Sequence, residues 1–166
     1  MDAIWNINRH VSRGWERDPV AIAYLRIFLG PAFKVDRMVE EFGITHVVNC
    51  ASREFSSKKF SEEFPGRHAC ISAIDSVFED ITRWYPIFET TMNMFLVDPE
   101  CIAVYVHCQC GINRSAFLLL IYLCLKFNLE PEYVIKHILI QRPCAFTNVV
   151  YRHQALEYIK KHRLVK

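Results

Sequence analysis

Hydrophobic positions along the chain fall into short runs and longer periodic stretches. The short runs are rich in β-branched and aromatic residues and predict buried strands at 22–28, 45–50, 69–74 and 102–106. The longer stretches repeat apolar residues at helical spacing and predict helices at 35–42, 81–96, 115–127, 131–141 and 149–163. Strands that alternate with helices are typical of an α/β fold, so we expect a single domain with a central, mostly parallel twisted sheet flanked by helices.

A loop of nine residues separates the last predicted strand from a strongly apolar helix. It spans residues 107–115 and reads His-Cys-Gln-Cys-Gly-Ile-Asn-Arg-Ser. After such a strand, the free N–H groups of the loop and of the first helical turn can point into one concavity, where the helix dipole adds positive charge. The pattern therefore predicts a phosphate-binding nest at the carboxyl end of a central strand. Its residues are Gln109, Cys110, Gly111, Ile112 and Asn113.

Cys108 and Arg114 are the residues of this segment that can perform chemistry. Arg114 carries a permanent planar charge that can bind two phosphate oxygens. The dipole, Arg114 and the loop N–H groups would all favour a thiolate at Cys108, which could attack phosphorus and form a cysteinyl-phosphate. We expect Ser115 to donate a hydrogen bond to the sulfur and His107 to tune the thiolate from behind the loop. The alternative is that Cys108 packs as a small hydrophobic residue.

Residues 107–115 resemble the signature loop of the cysteine-dependent protein phosphatases, and the length of the chain fits their dual-specificity branch. Residues 27–33 and 43–51 resemble the first strand, helix and second strand of that branch. Residues 145–148, with Gln154, resemble the segment that opens its last helix, most closely as it occurs in poxviruses. The chain departs from the family because no Pro precedes Asn148. The resemblance implies a protein-tyrosine-phosphatase-like fold, with no cofactor and no metal.

Dephosphorylation also needs an acid that protonates the leaving oxygen, and Asp75 is our candidate. It follows a strand-like apolar run and precedes the signature cysteine by 33 residues, a separation close to that of the family. Residues 74–82 resemble the family's acid loop, with Thr82 where a helix cap is expected. The alternative is that Asp75 is a turn residue and that Glu79 or Asp80 donates the proton or caps the helix.

Further polar residues could support or extend the site. We expect Asn113 and Asn148 to brace neighbouring loops by hydrogen bonds. Four basic residues could bind a second phosphate or an acidic residue at the rim, or could be solvated surface charges: Arg53, Arg142, Arg152 and His153. Cys50 or Cys110 could trap an oxidised Cys108 as a disulfide, or could be inert thiols. Cys50 is favoured because some phosphoinositide phosphatases of this superfamily carry a cysteine in a similar place.

Composition limits the remaining functions. A length of 166 residues and a hydrophobic content of 52% fit one compact domain. A formal net charge of +2 argues against bulk nucleic-acid binding. Seven cysteines, a motif that needs a free thiolate and an N-terminus without signal-like features favour a reducing compartment, so we expect a cytoplasmic protein. The longest apolar stretch, 116–125, is too short to span a membrane.

The N-terminal segment is predicted to differ from the rest of the chain. Within residues 1–20, apolar residues at partly helical spacing and interspersed arginines indicate an amphipathic helix, and the catalytic domain would occupy residues 21–166. This helix could pack on its own domain, form a homodimer as in some poxvirus relatives, or lie on a membrane surface.

Three functions remain open from the sequence. The leading one is a dual-specificity phosphatase that acts on phosphotyrosine and phosphoserine or phosphothreonine in proteins. The second keeps this chemistry on phosphoinositides or on the terminal phosphate of RNA, although the uncharged interior of residues 109–113 favours protein substrates. The third is a non-catalytic module that binds phosphoproteins. The poxvirus resemblance implies a viral protein in the host cytoplasm, and also in the virion, with host signalling proteins as partners.

Overall fold

The computed structural model describes residues 18–164 of the chain. In this described part of the chain, five strands form one sheet: β1 Ala21–Tyr24, β2 Ile27–Gly30, β3 His46–Asn49, β4 His68–Cys70 and β5 Val104–His107. Within residues 18–164, six α-helices accompany it: α1 Val35–Phe42, α2 Lys58–Glu63, α3 Tyr85–Val97, α4 Arg114–Lys126, α5 Pro131–Gln141 and α6 Val149–Leu164. The N-terminal helix predicted within residues 1–20 falls almost wholly outside the described residues.

The sheet has the order β1-β2-β5-β3-β4, in which only β1 and β2 are antiparallel. The expectation of a mostly parallel sheet is therefore confirmed. The prediction of one strand at 22–28 is wrong, because the chain reverses at Leu25, whose φ of 49° is left-handed. The reversal makes a hairpin in which Ile22 lies opposite Phe28.

Alternate residues of the central strands face two different hydrophobic cores. On β5, Val104 and Val106 contribute to the larger core, whereas Tyr105 contributes to the smaller one. The larger core contains the buried residues of α4 and packs against α5 and α6, and the smaller one contains residues of α1 and α2. Because β5 is covered on both faces and lies between β2 and β3, its carboxyl end is a rigid position in the sheet.

Two predicted elements end or begin differently in the structure. The strand predicted at 69–74 ends at Cys70, since Ser72 has a left-handed φ of 59°. The helix predicted at 81–96 begins as a 3-10 turn, and α3 starts only at Tyr85. The cap of that turn is Asp80 and not Thr82, because Asp80 Oδ1 accepts from the Thr82 N–H at 2.9 Å. Within 18–164, no helix is long and apolar enough to cross a membrane.

Candidate active site

The loop between β5 and α4 forms the site, and α4 begins at Arg114, one residue before the start predicted from the sequence. Gly111, in the middle of the loop, has a left-handed φ of 66°. A Cβ atom at this position would collide with the carbonyl group of Gly30 on the neighbouring strand, so only glycine fits. Backbone bonds fix both sides of the loop, from the Ala32 N–H to Gln109 at 3.1 Å and from the Phe146 N–H to Ile112 at 2.8 Å.

The Cys108 thiol lies at the bottom of this loop and is only 3% exposed. The Gly111 N–H donates to its sulfur at 3.2 Å, and the Ser115 hydroxyl donates at 3.3 Å. Burial alone would raise the pKa of Cys108, but the hydroxyl and N–H of Ser115, the Arg114 charge and the Gly111 N–H lower it below the usual thiol value. The arrangement thus favours a buried thiolate.

The Arg114 side chain connects this loop to the predicted acid loop. Its Nη1 donates to the Ala73 carbonyl at 3.2 Å. Its Nε is buried and has no hydrogen-bond partner within the described part of the chain. A buried guanidinium donor beside a thiolate can stabilise the oxygens of a phosphoryl group.

His107 supports the loop from inside the sheet as a neutral ring. Its Nδ1 donates to the Cys108 carbonyl at 2.7 Å. Burial lowers the pKa of His107 to about 4, although the bond to the carbonyl opposes this shift. His107 therefore orients the backbone of Cys108 without adding a charge.

Asn113 and Asn148 connect the signature loop to α6. Asn113 Nδ2 donates to Thr147 Oγ1 at 3.1 Å, and Asn113 Oδ1 accepts from the Asn148 N–H at 2.8 Å. Asn148 Oδ1 in turn accepts from the Tyr151 N–H at 3.1 Å, in the first turn of α6. Hydrogen bonds of the two asparagines thus connect the signature loop to the first turn of α6, although no Pro precedes Asn148.

Arg142 does not lie at the rim, which corrects one of the sequence-based alternatives. It is completely buried behind the loop. Its Nε donates to the Gly111 carbonyl at 2.9 Å, and its other nitrogens donate to the Cys110 carbonyl and to Asp18. A buried arginine is stable only when its donors are paired, and here the partners are two carbonyl groups of the loop, the Pro19 carbonyl group and the Asp18 carboxylate.

The other three rim candidates lie apart from one another. Arg53 lines a cavity of about 590 Å³ beside β4. Arg152 donates to the Phe146 carbonyl at 3.4 Å and also lines a groove between α5 and α6. His153 is exposed on α6. The structure therefore does not assemble the four basic residues into one subsite.

Asp75 lies on the exposed loop that follows β4. Its carboxylate forms no hydrogen bond or ion pair within residues 18–164, so it is available to a substrate. The two alternative acids are already paired, since Asp80 caps the following turn and Glu79 lies 3.5 Å from Arg83. The loop starts beside the site because the Ala73 N–H donates to the Cys50 carbonyl at 2.8 Å.

Cys50 is the cysteine that the sheet places beside Cys108. Asn49 pairs with His107 at the ends of β3 and β5, so the residues that directly follow the two strands are Cys50 and Cys108. Burial, and then the proximity of Cys108, raises the pKa of Cys50, which stays a thiol. Cys110 has an exposed side chain, and its backbone carbonyl accepts from Arg142.

The structure also reveals two residues of the site that chemical motifs in the sequence did not indicate. Tyr151, on α6, donates to the Ile74 carbonyl of the acid loop. Asp18, at the start of the described chain, accepts from Arg142 behind the signature loop. Tyr151 occupies an apolar position of a helical pattern, and Asp18 is 124 residues away from Arg142. No local signal could have linked either residue to the site.

The comparison with protein families agrees with this geometry. Residues 27–161 match the family described as the catalytic domain of dual specificity phosphatases. The chain belongs to this family. Dual specificity protein phosphatase 4 of Gallus gallus is 29% identical over 136 residues, which cover 80% of this chain and 34% of that protein. The chain thus spans about a third of the length of this relative.

Two solved structures show the same fold at low sequence identity. The human tyrosine phosphatase-like serine/threonine/tyrosine-interacting protein superposes with a TM-score of 0.72 at 23% identity, over 86% of this chain and 97% of that one. PTPMT1 in complex with PI(5)P superposes with a TM-score of 0.68 at 19% identity, over 87% of this chain and 96% of that one. The predicted α/β architecture of this phosphatase class is thereby confirmed.

Proposed function

We propose that the chain is a cysteine-dependent dual-specificity phosphatase, which hydrolyses phosphotyrosine and phosphoserine or phosphothreonine in proteins. The observation that carries the proposal is the lowered pKa of the buried Cys108, beside Arg114, whose Nε has no hydrogen-bond partner within residues 18–164. A buried sulfur with these neighbours is suited to nucleophilic attack on a dianionic group. Membership of the dual-specificity family supports the same activity.

The reaction has two steps. The Cys108 thiolate attacks phosphorus, the P–O bond to the side chain breaks, and Asp75 gives its proton to the leaving oxygen. Water then attacks the cysteinyl-phosphate, the S–P bond breaks, and Asp75 takes a proton from the water. Arg114 and the loop N–H groups stabilise the equatorial oxygens in both steps. The Ser115 hydroxyl, 3.3 Å from the sulfur, stabilises the departing thiolate.

Protein substrates are favoured over lipid and RNA phosphates by the charge of the site. Residues 109–113 contain no charged side chain that would bind further phosphates of an inositol ring or a nucleotide. PTPMT1, which was solved with PI(5)P, is similar to this chain in fold only. A purely binding module is disfavoured because both Cys108 and Arg114 are present.

The position of Arg53 supports substrates that carry an acidic group near the phosphorylated residue. The cavity that it lines also contains Lys58, His68 and Glu54, and it lies at the edge strand β4. Arg53 follows Cys50 by three residues, which can span at most about 10 Å, so the cavity is close to the catalytic loop. An acidic residue or a second phosphate of the substrate fits this charge.

An assay panel tests the proposal. Phosphopeptides, phosphoinositides and triphosphorylated RNA should be incubated with the wild type, with Cys108→Ser and with Cys101→Ser. We expect the highest kcat/KM on phosphopeptides and a loss of at least about 1000-fold in Cys108→Ser. Cys101→Ser is the matched control, because Cys101 is buried beyond the opposite end of β5. Wild-type turnover by Cys108→Ser would disprove the mechanism, and binding without turnover would favour the module.

The setting of the activity is also a proposal. The poxvirus-like segment 145–148 supports a viral protein that acts on host signalling proteins in the cytoplasm, and the amphipathic pattern of residues 1–20 supports a homodimer. Imaging of the tagged protein in cells tests the location. Sedimentation of the full chain and of a chain lacking residues 1–17 tests the dimer, which should be lost on truncation.

A further inference from the structure

The hydroxyl group of Tyr151 bridges the peptide groups on both sides of Asp75. The Ser76 N–H donates to this hydroxyl at 2.8 Å, and the hydroxyl donates to the Ile74 carbonyl at 2.5 Å. A phenol can accept one bond and donate another, so the two bonds form together. One side chain therefore fixes the backbone immediately before and immediately after the proposed acid.

The remaining anchors of this loop are further from Asp75. On one side, Arg114 donates to the Ala73 carbonyl. On the other side, Gln154 accepts from the Ile81 N–H at 3.0 Å and donates to the Glu79 carbonyl at 3.3 Å. The tip between them is exposed, with Phe78 94% accessible. Without the Tyr151 bridge, the stretch from residue 74 to residue 78 would have no anchor outside its own loop within the described part of the chain.

Tyr151 itself is held rigidly against the signature loop. Its ring is buried and makes an edge-to-face contact with Phe117 of α4, at a centroid distance of 6.2 Å. Its N–H is bonded to Asn148, and Asn148 is bonded to Asn113 of the loop. The bridge therefore connects the position of the acid to the position of the nucleophile.

We propose that Tyr151 is a positioning residue that holds Asp75 over the signature loop through its bridge to Ile74 and Ser76. The inference rests on the proposed phosphatase function and on Asp75 as the acid. Proton transfer to the leaving oxygen depends on a heavy-atom distance of hydrogen-bond length, so a loosened acid protonates the oxygen less often. A phenylalanine at this position keeps the ring packing and removes only the bridge.

Leaving-group dependence tests the inference, because only substrates with basic leaving groups need the acid. The values of kcat/KM should be measured for a phosphotyrosine peptide and for an activated aryl phosphate, with the wild type, Tyr151→Phe, Asp75→Asn and the double variant. We expect Tyr151→Phe to lose about tenfold on the peptide and less than about twofold on the activated ester. In the Asp75→Asn background, the same substitution should have almost no further effect.

Tyr122→Phe is the matched control. Tyr122 is also buried, its ring also makes an edge-to-face contact, and its hydroxyl donates to Asn93 at 2.7 Å far from the acid loop. It should keep wild-type kcat/KM on both substrates. Equal losses of Tyr151→Phe on the two substrates, or additive losses with Asp75→Asn, would overturn the inference. A wild type inactive on both substrates would refute the phosphatase proposal itself.

Discussion

At the scale of single residues, Cys108 combines the burial of a core residue with the electrostatics of an anion site. Burial opposes the thiolate, and the donors of Gly111 and Ser115 together with the Arg114 charge more than compensate for it. Cys50 experiences the same burial and stays a thiol, because it lacks these donors and lies beside the sulfur of Cys108. A nucleophile and a protonated thiol therefore directly follow two adjacent strands, β5 and β3.

This pairing predicts how the enzyme responds to oxidation. Mild peroxide should convert Cys108 to a sulfenic acid, which the Cys50 thiol attacks to give a disulfide and water. Intact-mass analysis should then show the loss of two hydrogen atoms, reversed by a reducing agent. The loss should disappear in Cys50→Ser and persist in Cys101→Ser. Its disappearance in Cys110→Ser instead would assign the bond to the loop cysteine.

At the scale of elements, local patterns explain which predictions succeed. The helix from Arg114 follows from a run of helix formers, and the parallel strands follow from apolar runs between helices. The β1–β2 hairpin was missed because its turn contains Leu25 and Arg26 in place of Gly, Asn or Pro. The burial of Arg142 was missed because its carboxylate partner is 124 residues away. Sequence patterns thus capture local preference and miss long-range pairing.

Arg142, the residue directly after α5, should hold the backbone of the catalytic loop in its observed shape. Arg142 donates to four acceptors, the two loop carbonyl groups, the Pro19 carbonyl group and Asp18, whereas the ammonium of a lysine has only three donors. We therefore expect Arg142→Lys to lower the free energy of unfolding by about 3 kcal/mol. We also expect it to lower kcat by at least about tenfold in the folded protein, because the loop N–H groups lose their alignment. Urea denaturation and single-turnover assays measure the two effects.

Arg26→Lys is the control for this substitution. Arg26 also bonds two carbonyl groups, those of Cys101 and Leu96, but it is exposed at the other end of the sheet. Arg26→Lys should lower the free energy of unfolding by about 1 kcal/mol or less and leave kcat unchanged. If Arg142→Lys is destabilised but keeps full kcat, its role is confined to folding.

At the scale of the whole molecule, the catalytic loop lies at the end of a buried sheet. The free energy of unfolding of the protein therefore depends on side chains that are buried in the sheet without charge, such as His107. The pKa of His107 is about 4 in the folded chain and about 6.5 in an unfolded one. Below pH 6.5 the unfolded chain therefore binds a proton that the folded chain does not bind. The contribution of neutral His107 to stability is complete above pH 6.5 and is lost as the pH falls to about 4.

The free energy of unfolding should fall by at most about 3 kcal/mol from this residue over that range. Urea titrations at several pH values between pH 7 and pH 4.5 can measure it. The decrease should be clearly smaller in His107→Gln, which cannot take up a proton, and unchanged in His153→Gln, which alters an exposed histidine. Because carboxylates contribute equally to all three proteins, the difference between the slopes isolates His107. Parallel slopes for the wild type and His107→Gln would show that this ring is not the group that limits stability in acid.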